Sequence, residues 1–461
     1  MTVTTPLSTG IDRDRVVALT AREKDRLVER TRHSGEYFER ARQVMPGGVP
    51  SQFQLNDPWP TYIERGVGAQ VWDVDGNEYI DFHNGFGVMC VGHANPVIAA
   101  AVKAQMDNGT HFAAPTEGSI VVAEELRRRW GIPHWRFTNS GTESTMDATH
   151  LARGLTARDV IVKIEGTYHG HHDAVMVSVK PPADAMGPRE RPNSVPYGLG
   201  YAPGTAEFTR CVPFNDADAL ARLLDELKGQ VAGVILEPAM MNINIVRPVV
   251  GYLEAVRELT RAHGAQLIFD EVKTGAAVAA GGATELFGVK PDIVCLAKAI
   301  CGGLPGGAIG MGDEAAELVA SGAVRQQGTF NGNPLVMAAA QATLLEVLTP
   351  EAYAGLHRAN ERLMAGCDKI IADHGIPAHT VGMGSKGCVT FASEPVLEYR
   401  DYCTKIHHDL SDLAWLYHMN HGIFMTPGQD EEWTLSVAHT DEHLDRYLEA
   451  FALFARDVTA S

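Results

Sequence analysis

Three features of this 461-residue chain predict an α/β protein: a large domain on a mainly parallel sheet, joined to a smaller α+β domain. Short apolar runs recur at 135–138, 160–164, 231–237, 266–270 and 292–296, several of them without polar alternation, as in strands covered on both faces. Helical patterns fall between them, for example over 142–155 and 253–263. After Pro350 the texture changes to a long helix, mixed segments and a closing helix over 441–456. The length itself exceeds one ordinary core.

Taken in order, residues 1–20 read as a polar, loosely held tail. A charge-rich helix with apolar Leu27, Val28, Phe38 and Ala41 is expected over 21–44, ended by Met45-Pro46-Gly47-Gly48. A β-hairpin follows, 69–74 and 78–82 about the turn Asp75-Gly76-Asn77. The Asp-rich turn lacks the distal Glu and carboxylate spacing of a calcium loop, so no metal is assigned to it. The expected division is 1–33 for the tail and start of the helix, 34–94 for an N-terminal segment joining the small domain, 95–345 for the large domain and 346–461 for the C-terminal small domain.

Composition narrows the function. With 45% hydrophobic residues the chain can bury a large core. A net charge of −18 argues against a nucleic-acid surface, which needs clustered Lys and Arg. No uncharged apolar stretch reaches membrane-spanning length, so no membrane partner is expected. Seven scattered cysteines without a C-x-x-C pair fit reduced, buried thiols. Met1 to Pro6 lacks a basic region before an apolar core, and a cytoplasmic location is the expectation.

The chemistry gathers at strand ends. Lys298 follows the run 292–296 and precedes Gly302-Gly303-Leu304-Pro305-Gly306-Gly307; Asp270 closes the run 266–270. Open α/β sheets place their chemistry at the carboxyl ends of strands. A lysine that can form an imine and a carboxylate that keeps a pyridine nitrogen protonated are what pyridoxal 5′-phosphate (PLP) requires. Ser140-Gly141-Thr142, between a strand and a helix, forms either a phosphate site or a plain helix cap. In Tyr168-His169-Gly170-His171-His172 an aromatic could stack on a ring; a zinc site there lacks a completing carboxylate or thiol. Glu237 could orient the cofactor or simply precede a turn. Val272 could pack on the ring, whereas Glu271 and Lys273 read as a solvated or outer pair. Thr329, in Gln327-Gly328-Thr329-Phe330-Asn331-Gly332, is a phosphate donor or a further cap.

These motifs, with Met45-Pro46-Gly47-Gly48-Val49, Ala114-Pro115-Thr116-Glu117 and Ala438-His439-Thr440-Asp441-Glu442, resemble the class III aminotransferase family of fold-type I PLP enzymes. Within it the chain is similar to glutamate-1-semialdehyde aminomutases and to D-phenylglycine and β-amino-acid aminotransferases, from about Ser34 onward. The resemblance implies a seven-stranded sheet, a Schiff base on Lys298 and Asp270 on the pyridine nitrogen. It also implies phosphate contacts from Ser140, Gly141 and Thr142, Tyr168 on the ring, and Thr329 reaching a neighbour's phosphate in a homodimer with shared sites.

Gln54 stands where many aminomutases place an Arg that holds a substrate carboxylate. Ala276-Ala277 replaces the aromatic and Arg that many relatives carry after Asp-Glu-Val-x-Thr-Gly. The expected reaction is therefore transfer of an amino group from an amino acid or amine to a 2-oxo acid. Intramolecular aminomutase chemistry and, further off, a non-catalytic scaffold are the alternatives. His169, Arg247, Gln54 and Glu431 are the candidate substrate contacts.

Overall fold

The computed structural model describes residues 11–202, 204–426 and 432–460. The chain divides into two compact units, Pro96–Tyr353 with Val396–Tyr402, and Met1–Asn95 with Ala354–Pro395 and Cys403–Ser461.

The first unit is built on a seven-stranded sheet. Its order is His134–Thr138, Gly307–Met311, Ile293–Ala297, Gln266–Asp270, Val231–Leu236, Val160–Ile164, Thr209–Val212. Only Gly307–Met311 runs antiparallel, against both its neighbours; the other pairs are parallel. Val231–Leu236 and Ile293–Ala297 are buried throughout, which explains their unbroken apolar runs. The helix Gly141–Thr156 lays Ala148, Leu151 and Ala152 on Ile161, Ile235, Ile268 and Ile293 to form the core.

Two strands were not read from the sequence. Thr209–Val212 is a short edge strand. Gly307–Met311 carries two glycines, a composition that argues against strand. Both glycines answer to close packing: a Cβ on Gly307 would lie 2.5 Å from the Thr138 hydroxyl, and one on Gly310 2.7 Å from the Trp135 ring. The segment Val396–Tyr402 belongs to this unit through two ion pairs, Glu398 with Arg189 at 2.7 Å and Arg400 with Glu165 at 2.8 Å.

In the second unit the N-terminal helix begins earlier than expected. Helices Arg13–Arg30 and Arg32–Arg42 abut at Thr31, where one helix over 21–44 with a loose tail before it was predicted. Asp12 caps the first by accepting from the Asp14 amide at 2.9 Å. Val16, Leu19 and Leu27 form a narrow buried stripe that the surrounding charges hide from a periodicity count.

The predicted hairpin is present as Gln70–Asp73 and Glu78–Asp81, inside a four-stranded sheet with Ile63–Val67 and Ile423–Phe424. Asp73 closes its turn by accepting from the amides of Asp75 and Asn77. His379–Met383, Lys386–Thr390 and Glu432–Thr434 make a second sheet, and Asp441–Thr459 is the closing helix. All seven cysteines are free thiols and six are buried. Among the described residues no helix is long and apolar enough to cross a membrane.

Candidate active site

Parallel register brings the chemistry-bearing side chains to one sheet edge. Leu236 pairs with Phe269 and Asp270 with Cys295, so Glu237, Asp270 and Lys298 leave adjacent strands at their carboxyl ends. The same edge receives Thr138, where Ser140 starts its helix, and Ile164, which leads into Tyr168 and His169.

Lys298 is half-buried and has φ +51°, a left-handed conformation that costs a non-glycine residue about 1–3 kcal/mol. Such strain persists where surrounding structure enforces it. Here the strand ends at Ala297 and Gly302, itself at φ +56°, follows one turn later.

Asp270 is buried with both oxygens engaged. Oδ2 lies 2.7 Å from His169 Nδ1, and Oδ1 accepts from the Val272 amide at 3.0 Å. His169 is therefore a partner of Asp270 with a side chain closed to solvent. Its Nε2 is buried, with no hydrogen-bond partner among the described residues.

Glu237 is likewise buried. It accepts from the Tyr168 amide at 3.3 Å, the Met241 amide at 2.9 Å and the Asn242 side-chain amide at 3.0 Å. Burial raises its pKa, against the pull of His169. The Tyr168 phenol is pushed up to about 12 by burial and by the charge of Asp270. It remains a neutral ring.

At the start of the helix Gly141–Thr156 the cap reading is met. Ser140 is the cap, its hydroxyl accepting from the Glu143 amide at 3.2 Å. Helix geometry leaves the first-turn amides of Gly141 and Thr142 without intrahelical acceptors, the condition that an anion site needs. Glycine is required at 141, because a Cβ there would sit 2.8 Å from both methyls of Val272. Gly170, at φ +93°, closes on Thr142 in the same way, and His171 Nδ1 lies 3.2 Å from the Thr142 hydroxyl.

Sequence reasoning missed a supporting network. Glu143 Oε2 accepts from the Asn139 amide at 2.7 Å, and the Asn139 side chain donates to Asn331 Oδ1 at 2.8 Å. The Ser-x-x-Glu spacing was the available signal. The pair Glu271 and Lys273 needs correction: it is not solvated. Glu271 is wholly buried and accepts from Thr274, Thr284, Trp130 and the amides of Ala283 and Thr284, while Lys273 donates to the Met241 carbonyl. Glu271 ties down the turn that follows Asp270.

The remaining candidates are dispersed. Thr329 is exposed in a concavity of about 740 Å³ lined also by His111, Phe112 and Phe137. No hydrogen bond among the described residues joins it to Ser140, Gly141 or Thr142. Arg247 is exposed, just past the bridge between Met240 and Val246. Gln54 belongs to the other unit, in a cavity of about 530 Å³ lined by Phe53, Phe86, Trp415 and Phe424. Glu431 lies outside the described residues.

A strained lysine beside a buried carboxylate, with a glycine-floored anion site at the same edge, fits PLP: an aldehyde, a pyridine nitrogen and a phosphate each find a complementary group. Comparison with known proteins agrees. The family model for class-III aminotransferases matches residues 53–425, and the chain belongs to that family, whose enzymes are PLP-dependent. It is 41% identical over 424 residues to a glutamate-1-semialdehyde 2,1-aminomutase of Desulforudis audaxviator, covering 90% of this chain and 96% of that protein.

Among solved structures, an omega-transaminase from Sphaerobacter thermophilus superposes with a TM-score of 0.87 at 33% identity, covering 93% of this chain and 98% of that one. A glutamate-1-semialdehyde aminomutase from Pseudomonas aeruginosa PAO1 gives a TM-score of 0.89 at 29% identity, covering 97% and 100%. A variant of that enzyme has been solved in complex with PMP.

Proposed function

We propose that this enzyme is an aminotransferase that moves an amino group from an amino acid or amine to a 2-oxo acid. Gln54 carries the reading against an aminomutase. It lines its cavity with aromatic side chains, and no lysine, arginine or carboxylate is among the described lining residues. A cavity of that kind cannot pair with a substrate carboxylate as an arginine would. Buried Ala276 and Ala277 likewise leave small apolar groups after the Asp270 turn.

In this reading Lys298, Asp270, Ser140, Gly141, Thr142, Tyr168, Glu237 and Val272 hold PLP, which supplies an electron sink for charge developing at the donor carbon. Lys298 Nζ would take the proton from the amine-bearing carbon of the donor and deliver it to the cofactor carbon that receives the amino group. Asp270 holds the proton on the ring nitrogen, and His169 Nδ1 fixes the carboxylate that does so. Thr329 completes the phosphate site of a second copy, making a homodimer with shared sites.

The aminomutase reading has one observation in its favour: relatives about 40% identical carry that name. A panel of amine donors, each with and without a 2-oxo acid acceptor, separates the two. Turnover that needs the acceptor supports transfer. Turnover of glutamate 1-semialdehyde alone, with no donor responding to acceptor, would replace it by the mutase.

A further inference from the structure

Lys163 occupies the middle of Val160–Ile164, a strand buried at every position, and its side chain is fully enclosed. Nothing in an apolar strand calls for an ammonium group, and burying one is costly unless its donors are met. All three are. Lys163 Nζ donates to the carbonyls of Thr167 at 2.8 Å, Val175 at 3.1 Å and Val177 at 2.6 Å.

These acceptors lie at the two ends of one excursion, the loop that leaves the strand after Ile164 and carries Tyr168, His169 and His171. The loop's entry is also fixed by the Gly166 amide donating to the Ser178 carbonyl at 2.9 Å. Between those points the chain passes over the sheet edge, where Tyr168 reaches Glu237 and His169 reaches Asp270. The sealed Nζ also explains why this lysine, although on a neighbouring part of the same sheet, is unsuited to bond with an aldehyde.

We propose that Lys163 is a positioning residue whose Nζ pins residues 166–177 and thereby sets Tyr168 and His169 at the cofactor edge. The inference rests on the reading that Tyr168 and His169 serve the cofactor. The ionisable groups around Lys163 are Cys211, its register partner on Thr209–Val212, Glu165 at the end of its own strand, and Glu237 beyond Val231–Leu236. Its other strand partner, Ile235, is apolar. Glu165 is occupied by Arg400, and burial pushes the Cys211 thiol up. Burial drives the Lys163 amine down to about 8, outweighing Cys211, Glu237 and Glu165, which act the other way. An amine exposed by opening of the loop would regain its ordinary, higher pKa, so the enclosed arrangement is favoured further as the pH rises above about 8.

The test is amide hydrogen exchange of residues 166–178 in cofactor-free protein, corrected for intrinsic rates, together with PLP dissociation constants for wild type and Lys163→Met. In wild type, protection of this loop relative to the helix Gly141–Thr156 should rise about tenfold as pH passes from about 7 to about 9.5, because opening would return the amine to its ordinary, higher pKa. In Lys163→Met it should be low at every pH, and PLP should bind about tenfold more weakly. Flat wild-type protection overturns the proposal, as does wild-type-like protection in Lys163→Met. An unpinned loop with unchanged PLP affinity removes its link to the cofactor. Should Lys163→Met fail to fold, the wild-type pH series alone decides. Exchange in cofactor-free protein is independent of which donor the enzyme uses, so a failed transferase reading would leave this result intact.

Discussion

Lys298 carries two separate signs of function: its place after a buried strand and a φ of +51°. The first was legible in the sequence, as was Asp270, because a charged residue ending an apolar run stands out. The second was not, since backbone conformation at a lysine leaves no mark in composition. Lys298→Ala should abolish turnover and the visible band of the bound cofactor; borohydride reduction of wild type followed by peptide mapping should label Lys298. Label on Lys163 or Lys273 would show the wrong lysine had been chosen. Asp270→Asn should keep PLP bound through Ser140, Gly141 and Thr142 yet slow the half-reaction by on the order of 100-fold or more, the scale of a lost electrostatic contribution at a reacting centre. Half-reaction rates near wild type, followed by stopped-flow absorbance, would remove Asp270 from its role. The role of His169 could not be read in advance: its spacing from Asp270 along the chain is 101 residues, and only the sheet order, with one strand between Val160–Ile164 and Gln266–Asp270, brings Nδ1 to Oδ2.

At the scale of elements, the buried strands were legible because covering a strand on both faces demands uninterrupted apolar residues, and the helices because their apolar stripe repeats. What escaped was set by neighbours. Gly307–Met311 is a strand whose glycines make sense only against Trp135 and Thr138, and Thr209–Val212 is too short to carry a pattern. The helix start at Gly141 shows the same dependence. Its Ser-Gly-Thr sequence suits any cap, and the reason for glycine is Val272, 131 residues away in the chain by the numbering. Gly141→Ala puts a methyl 2.8 Å from both Val272 methyls. Overpacking of this kind costs about 1–3 kcal/mol. The displaced first turn should weaken PLP binding, read by fluorescence titration, while far-UV circular dichroism stays unchanged. In a Val272→Ala background, Gly141→Ala should cost less affinity than it does in wild type; an equal loss would mean the glycine answers to something other than Val272.

Two properties belong to the whole molecule. The first is acid lability. His418 is fully buried, its Nδ1 lies 2.9 Å from the Ala414 carbonyl, and its ring stacks on Tyr447 at 4.4 Å. Burial pushes its pKa down to about 3. Between that value and an unfolded value of about 6.5 the unfolded chain binds a proton that the folded one refuses, so stability falls with pH by about 1.4 kcal/mol per unit. His418→Phe should remove this slope, and melting temperatures of the two proteins should converge or cross as pH drops from about 7 to about 5; parallel curves would contradict it. Asp412, in the same helix and raised to about 6 by burial and by Asp409, acts in the opposite sense but is common to both proteins. The second, proposed above, is the sharing of sites between copies. Thr329 is exposed, and among the described residues no hydrogen bond joins it to Ser140, Gly141 or Thr142 of its own chain, as expected of a residue serving a neighbour. Thr329→Val should weaken PLP affinity by the loss of one charge-assisted hydrogen bond, on the order of 1.5–3 kcal/mol. Mixing this protein with Lys298→Ala then provides the decisive arrangement. Heterodimers would pair wild-type Lys298 of one chain with wild-type Thr329 of the other in one intact site, and place both changes in the second site. At limiting PLP the refolded mixture should be more active than the Thr329→Val protein alone, although the added partner is itself inactive. If each chain served only its own phosphate, no combination would contain an intact site, and the mixture would show no gain.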